Sequence, residues 1–142
     1  MRLVADASVI VAFLLGEGSG EERDAMLGEV HAPALLDVEV TQTLRGLLRA
    51  GKIDLATADL GRIELADLAI RRHPDAALLR RAWELRDICT TYDGLYAALA
   101  EGLDAALITR DMRLARGLVD APAVTCSVRV SDAPRHERGA TD

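Results

Sequence analysis

The stretch Leu3-Val4-Ala5-Asp6-Ala7-Ser8-Val9-Ile10-Val11 decides the fold. A short apolar run, Leu3 to Ala5, arrives at a carboxylate, and residues 7–15 continue with the composition of a buried helix. In a parallel α/β sheet the crevice outside the carboxyl ends of the strands is where ligands bind. Asp6 is therefore expected to face a site. Working outward, three later segments each bring one more acid to a comparable edge: Glu39, Asp93 and Asp111. The expectation is that these four carboxylates converge.

With 142 residues the chain fits one domain with a proper core. Apolar residues make up 50% and aromatics 3%, so that core must be aliphatic. Abundant alanine and leucine favour helix, with β-branched runs left for strands, and an α/β fold follows. A net charge of −6 argues against a general nucleic-acid binder. It does not exclude a nuclease, because a cluster of metal-binding carboxylates itself lowers the net charge. Cys89 and Cys126 lack any CxxC or Cys/His spacing and read as reduced thiols, and His31, His73 and His136 show no zinc spacing. The N-terminal run is interrupted by Asp6 and reads as no signal peptide, and no apolar span approaches membrane length. A cytoplasmic protein without a membrane partner is expected.

Along the chain, residues 2–6 read as a strand and 8–15 as a helix with Ser8 as N-cap. Gly16-Glu17-Gly18-Ser19-Gly20 breaks it, and a polar helix over 21–27 follows. That glycine run is no phosphate loop, because it follows a helix and lacks the Gly-Lys-Ser/Thr ending. Residues 30–32 make a second strand, and Leu36, Val40, Leu44, Leu47 and Leu48 recur at helical period until Gly51. Glu39 lies beside that stripe. An exposed helix is expected at 57–69, a weak strand at 68–72, and a helix capped by Asp75 running to 89 with Leu78, Leu79, Ala82, Trp83 and Leu85 buried. Asp93 opens the next helix, apolar or small on nearly every face and hence central. Strand 105–109, helix 112–118 and strand 124–130 complete the domain, and 131–142 reads as a polar, disordered tail.

Each acid alone has a bland reading: Asp6 and Asp111 as N-caps, Asp93 as a first-turn charge facing the helix dipole, Glu39 as a solvated helix residue. Together, at one edge of a parallel sheet, they repel one another, and a divalent cation removes the conflict. All-oxygen ligation by one or two carboxylates plus waters suits Mg²⁺ or Mn²⁺.

Val4-Ala5-Asp6-Ala7-Ser8, Ala32-Pro33 leading to Glu39, Thr91-Tyr92-Asp93-Gly94-Leu95-Tyr96-Ala97-Ala98-Leu99-Ala100-Glu101 and Leu107-Ile108-Thr109-Arg110-Asp111 resemble the PIN-domain family, most closely its VapC-type ribonuclease toxins of type II toxin–antitoxin systems. The resemblance covers residues 1–130 and implies a three-layer α/β/α fold with a mainly parallel twisted sheet of four to five short strands. It further implies a metal-dependent endoribonuclease. Asp6 and Asp93 would be Mg²⁺ or Mn²⁺ ligands, Glu39 and Asp111 would act directly or through water, and Ser8 and Thr109 would support them. A VapB-like antitoxin and a homodimer follow from the same resemblance, with helices 21–27 and 36–48 as groove surface for the antitoxin. Two positions depart from the family pattern: Gln42 stands where Asn is common, and Gly94 opens a helix where Gly costs up to ~1 kcal/mol against Ala.

An acidic protein that binds RNA needs local positive charge. Arg110 and Arg113 flank Asp111 and are the first choice for phosphate contacts, with Arg45, Arg49 and Arg116 behind them. Three rivals share the acid pattern. A phosphoacceptor domain, receiver-like or of the haloacid dehalogenase type, normally needs a lysine near the phosphate, and the only lysine, Lys52, follows the Glu39 helix. A catalytically inert PIN-like interaction module would have little reason to retain the complete acid set. A DNA-directed nuclease of the flap type would carry long insertions that this short chain lacks.

Overall fold

The computed structural model describes residues 2–121, 124 and 128–131. Five parallel strands form one sheet in the order β3-β2-β1-β4-β5. These are β1 (Arg2–Ala5), β2 (Glu29–Pro33), β3 (Ile70–His73), β4 (Ala106–Thr109) and β5 (Val128–Val130). The helices between them are α1 (Ala7–Leu14), α2 (Gly20–Met26), α3 (Leu35–Arg49), α4 (Leu55–Asp67), α5 (Leu79–Glu84), α6 (Thr91–Leu103) and α7 (Met112–Val119). The chain crosses the sheet from β1 to β3 in one direction, then returns to add β4 and β5 on the other side of β1. Right-handed crossovers put α1–α4 on one face and α5–α7 on the other. In keeping with this, α1, α3 and α4 pack together, while α5 packs on α6 and α6 spans β1, β2 and β4. The order reverses between β1 and β4, so the crevice of a doubly wound sheet opens at the ends of these two strands.

The central strands are apolar almost without interruption because helices cover both faces. Val4, Val30, Leu107 and Ile108 are buried with Ile10, Leu36, Val40 and Leu99 in one aliphatic core. Every α6 residue from Gly94 to Ala100 is buried, as expected of a central helix. Between β2 and β3, His31 Nδ1 meets His73 Nε2 at 2.8 Å and His31 Nε2 meets Glu29 at 2.8 Å, so these imidazoles are occupied with each other and with Glu29.

Several local expectations change. Asp6, rather than Ser8, is the N-cap of α1 and accepts from the Val9 amide. The helix over 57–69 begins at Leu55, because Asp54 accepts from the Thr57 amide and caps it earlier. The single helix over 75–89 is a 3-10 turn (Asp75–Leu78) followed by the short α5. A 3-10 turn advances 120° per residue, so the apolar stripe loses phase. Ala82 and Leu85 stay buried, whereas Leu79 and Trp83 are exposed. The Asp75 carboxylate accepts from the Leu35 amide at 3.1 Å and ties this turn to the start of α3 instead of capping its own helix. Strand 124–130 is seen as Val128–Val130. Ser131, expected to open the tail, is buried and donates its amide to the Thr109 carbonyl. Residues 132–142, with His136, and Cys126 lie outside the described residues.

Gly94 is where α6 meets α5. A Cβ there would stand 3.1 Å from the Ala82 Cβ and 3.2 Å from its Cα, and backbone cannot swing aside as a side chain can. Replacing Gly94 with Ala gains up to ~1 kcal/mol of helix propensity, but overpacking typically costs ~1–3 kcal/mol. A net loss of stability is expected for Gly94→Ala in urea unfolding, and a larger one for Gly94→Val. A Gly94→Ala protein as stable as wild type would mean that α5 yields freely.

Candidate active site

Asp6 leaves the end of β1 and its carboxylate is gripped from three sides. The Ser8 hydroxyl donates to Oδ1 at 2.5 Å, the Val9 amide donates to Oδ1 at 3.3 Å, and the Thr109 hydroxyl at the end of β4 donates to Oδ2. Thr109 Oγ1 also accepts from the Asp111 amide at 2.9 Å, and Ser8 Oγ accepts from the Arg110 amide at 3.1 Å. The two hydroxyls therefore weld the β1–α1 turn to the β4–α7 turn. Asp111 caps α7, accepting from the Arg113 and Leu114 amides. The bland reading of Asp6 and Asp111 as N-caps is thus realised, and capping is also what fixes their carboxylates at the strand ends.

From the facing helices come Glu39 and Asp93. Tyr96 lies three residues after Asp93 and so on the same side of α6. Its buried hydroxyl donates to Glu39 Oε1 at 2.7 Å, which turns Glu39 toward the Asp93 side of the crevice. Burial raises the pKa of Asp6, against the hydrogen bonds from Ser8, Thr109 and Val9, and the charge on Asp93 adds to the rise. Glu39 is raised by burial and by Asp93 and Asp6, with the Tyr96 bond opposing. Asp93 is raised by burial and then by the charge on Asp111. The acids thus feel one another electrostatically. Beside Asp93 and Asp111 a cleft of about 440 Å³ is lined by Arg86, Asp87, Ile88, Cys89, Thr90, Arg113 and Leu114.

A second, fully buried carboxylate supports this edge from below. Glu22, at the third position of α2, forms a capping box with Ser19. It takes Arg110 in a two-pronged ion pair, Nε to Oε1 at 2.6 Å and Nη2 to Oε2 at 2.9 Å, and accepts from the Ser131 hydroxyl. Burial pushes the Glu22 pKa up, but hydrogen bonds from Arg110, Ser131 and Ser19 and the Arg110 charge outweigh it and leave the group below the usual carboxylate range. Arg110 also donates to the Glu17 carbonyl at 2.8 Å. Arg110, expected to meet phosphate, has its guanidinium engaged by Glu22 and by the Glu17 carbonyl. Arg113 is exposed and lines the cleft, while Arg45, Arg49 and Arg116 are exposed on their helices. Tyr96, Arg86 and Glu22 were missing from the sequence reading. Tyr96 had a signal in its spacing from Asp93, and Glu22 in the Ser-x-x-Glu box.

Among the described residues no three His, Cys, Asp or Glu side chains are close enough together to hold a metal ion by themselves. Mg²⁺ does not need three, since it keeps several waters and takes one or two carboxylates. An all-oxygen donor set whose members raise one another's pKa fits such an ion, which relieves the repulsion on binding. Cys89 is a free thiol pushed up by burial and by Asp93, and a hard cation has no use for it.

A family model described as PIN domain matches residues 3–117. The VapC ribonuclease Mb0985 of Mycobacterium bovis is 37% identical over 112 residues, covering 79% of this chain and 87% of that protein. Ribonuclease VapC3 of Mycobacterium tuberculosis is 36% identical over 126 residues, covering 87% and 92%. Ribonuclease VapC12 of the same species is 40% identical over 116 residues, covering 80% and 90%. Among solved structures, PAE2754 from Pyrobaculum aerophilum aligns with a TM-score of 0.64 at 22% identity, over 90% of this chain and 83% of that one. VapBC2 from Rickettsia felis bound to a DNA fragment from their promoter also gives 0.64, at 13% identity, over 93% of this chain and 100% of that one. At these identities the two structures speak for the fold.

The pKa shift of Asp93 has a defined sign. A carboxylate whose folded pKa lies above its unfolded value contributes stability that is fully present below the unfolded pKa and is lost as pH rises through the folded one. Asp93→Asn is therefore expected to melt higher than wild type at neutral pH without metal, with the gap closing as pH falls into the ordinary carboxylate range. Added Mg²⁺ or Mn²⁺ should raise the melting point of wild type more than that of the variant. A metal-free Asp93→Asn protein that melts lower at neutral pH contradicts the repulsion. For Glu22→Gln, which leaves Arg110 without its counter-charge, a loss of about 3 kcal/mol is expected in urea unfolding, as for other broken buried pairs.

Proposed function

Because the chain belongs to the PIN-domain family, among its VapC ribonucleases, we propose that it is a divalent-metal-dependent endoribonuclease and the toxin of a type II toxin–antitoxin pair. The observation that carries this reading is the strand-end arrangement of Asp6 and Asp111 joined through Thr109, faced by Asp93 and the Tyr96-held Glu39. Asp6 and Asp93 are the direct Mg²⁺ or Mn²⁺ ligands, and Glu39 and Asp111 act directly or through water. When bound, such an ion supplies an activated water near neutral pH and offsets charge on the phosphodiester.

The chain's own residues do the rest. Ser8 and Thr109 hold the Asp6 carboxylate in one orientation, so the ligand is in place before the ion arrives. Tyr96 keeps its proton, because burial and Glu39 push its pKa up, and it goes on donating to Glu39. Arg113 at the cleft meets an RNA phosphate. No serine, cysteine or histidine nucleophile is required, since water attacks phosphorus and the leaving oxygen departs on the other strand fragment. A VapB-like antitoxin covers the acidic edge, and two copies of the chain form the homodimer of the family. Among the described residues no helix is long and apolar enough to cross a membrane.

Purified wild type is expected to cut RNA, and not single-stranded DNA, with Mg²⁺ or Mn²⁺, and to stop in EDTA. Asp6→Asn should lower the rate by at least a hundredfold while remaining folded by circular dichroism. Full activity in that variant or in EDTA would overturn the metal assignment. Arg113→Gln should weaken RNA binding and reduce the slope of log K against log salt by about 1, and an unchanged slope would remove Arg113 from the interface.

A further inference from the structure

The chain has four aromatic residues, Phe13, Trp83, Tyr92 and Tyr96. Tyr96 is buried, whereas Trp83 is 66% exposed and Tyr92 61% exposed. Leaving an indole in water forfeits the burial of a large apolar surface, so its position calls for a reason. Trp83 closes the exposed side of α5 and Tyr92 immediately precedes Asp93. The Arg86 guanidinium lies over the Trp83 ring, 5.0 Å from its centroid, and Arg86 Nη1 donates to the Trp83 carbonyl at 3.1 Å. The same Arg86 lines the cleft that contains Asp93, Asp111 and Arg113. A planar indole with a stacked guanidinium thus stands at the rim of the candidate catalytic cleft.

We propose that the Trp83–Arg86 pair is a stacking subsite for an unpaired base, so that the substrate is a single-stranded RNA segment. This rests on the ribonuclease reading and specifies its substrate. Sequence-tolerant recognition of single strands is built from aromatic rings and arginine planes next to phosphate-binding charge. All three elements are present: the Trp83 ring, the Arg86 guanidinium over it, and the Arg113 charge in the cleft that Arg86 also lines. A base paired in a duplex has both faces covered by its neighbours and cannot extend the stack. Leu79, exposed one turn earlier on α5, gives the rim an apolar edge, so a protein contact is the rival occupant.

Trp83 is the only tryptophan, which makes its emission a direct reporter. With Mg²⁺ present, the slow-cutting Asp6→Asn protein is titrated with a twelve-nucleotide mixed-sequence RNA, as single strand and as duplex, while binding is followed independently by anisotropy of a dye on the RNA. Saturable quenching by the single strand and little by the duplex is expected. In steady-state cleavage by the otherwise wild-type enzyme, Trp83→Ala should raise KM about tenfold with kcat within twofold, Trp83→Phe should recover most of the loss, and Arg86→Gln should raise KM. Binding or cleavage of RNA with unchanged Trp83 emission and an unchanged KM in Trp83→Ala would overturn the subsite and leave the ribonuclease reading intact. An altered sedimentation coefficient in Trp83→Ala, with KM unchanged, would assign the ring to a protein contact and overturn it equally. No cutting of any RNA by wild type with Mg²⁺ or Mn²⁺ would sink both.

Discussion

The Thr109 hydroxyl, donating to the Asp6 carboxylate, joins the carboxyl ends of the two strands between which the sheet reverses its winding. Everything at the acidic edge hangs on that junction. Thr109 also receives the Asp111 amide, so one hydroxyl fixes one acid by its side chain and the other by its backbone. Ser8 repeats the device from the opposite strand end, donating to Asp6 and accepting from the Arg110 amide. A parallel sheet supplies the coarse position of such residues. The two hydroxyls supply the orientation that a ligand set requires, because a carboxylate held by several donors loses its rotamer freedom before any ion is bound.

The same edge illustrates how a site is stabilised at a distance from itself. Asp6, Glu39 and Asp93 all resist ionisation through burial and mutual charge, so carrying all three charges at once is locally unfavourable. Support comes from beneath it, where Glu22 carries the opposite shift and binds Arg110 and Ser131. The acids of the edge repel one another, whereas the lone Glu22 carboxylate has its counter-charge in Arg110. The separation of these two roles places the guanidinium of Arg110, next to a candidate ligand, in an ion pair that supports the edge.

The sequence displayed the features that are local. A strand ending in an acid, followed by helix-forming residues, is readable because the acid must both end the strand and cap the helix, as Asp6 and Asp111 do. The all-apolar character of residues 94–100 likewise announced a central helix. What escaped depends on long-range partners. Arg110 and Glu22 are 88 residues apart, and nothing in the neighbourhood of Arg110 distinguishes a buried ion pair from a phosphate contact. The segment 75–89 failed for a different reason, since a 3-10 turn shifts the helical phase and Asp75 was drawn to Leu35 across 40 residues of chain. Glu39 was placed correctly beside its stripe, but the Tyr96 hydroxyl that aims it lies 57 residues away.

The union of Thr109 with Asp6 spans 103 residues, and that of Ser131 with Glu22 spans 109. During synthesis a ribosome emits residues in order, and contacts this remote cannot form until the far partner has left the exit tunnel. A growing polypeptide therefore carries the Asp6 carboxylate without its Thr109 donor until β4 has emerged. The acidic edge is therefore completed late, when β4 slots in beside β1 and brings Thr109 and Asp111 to Asp6.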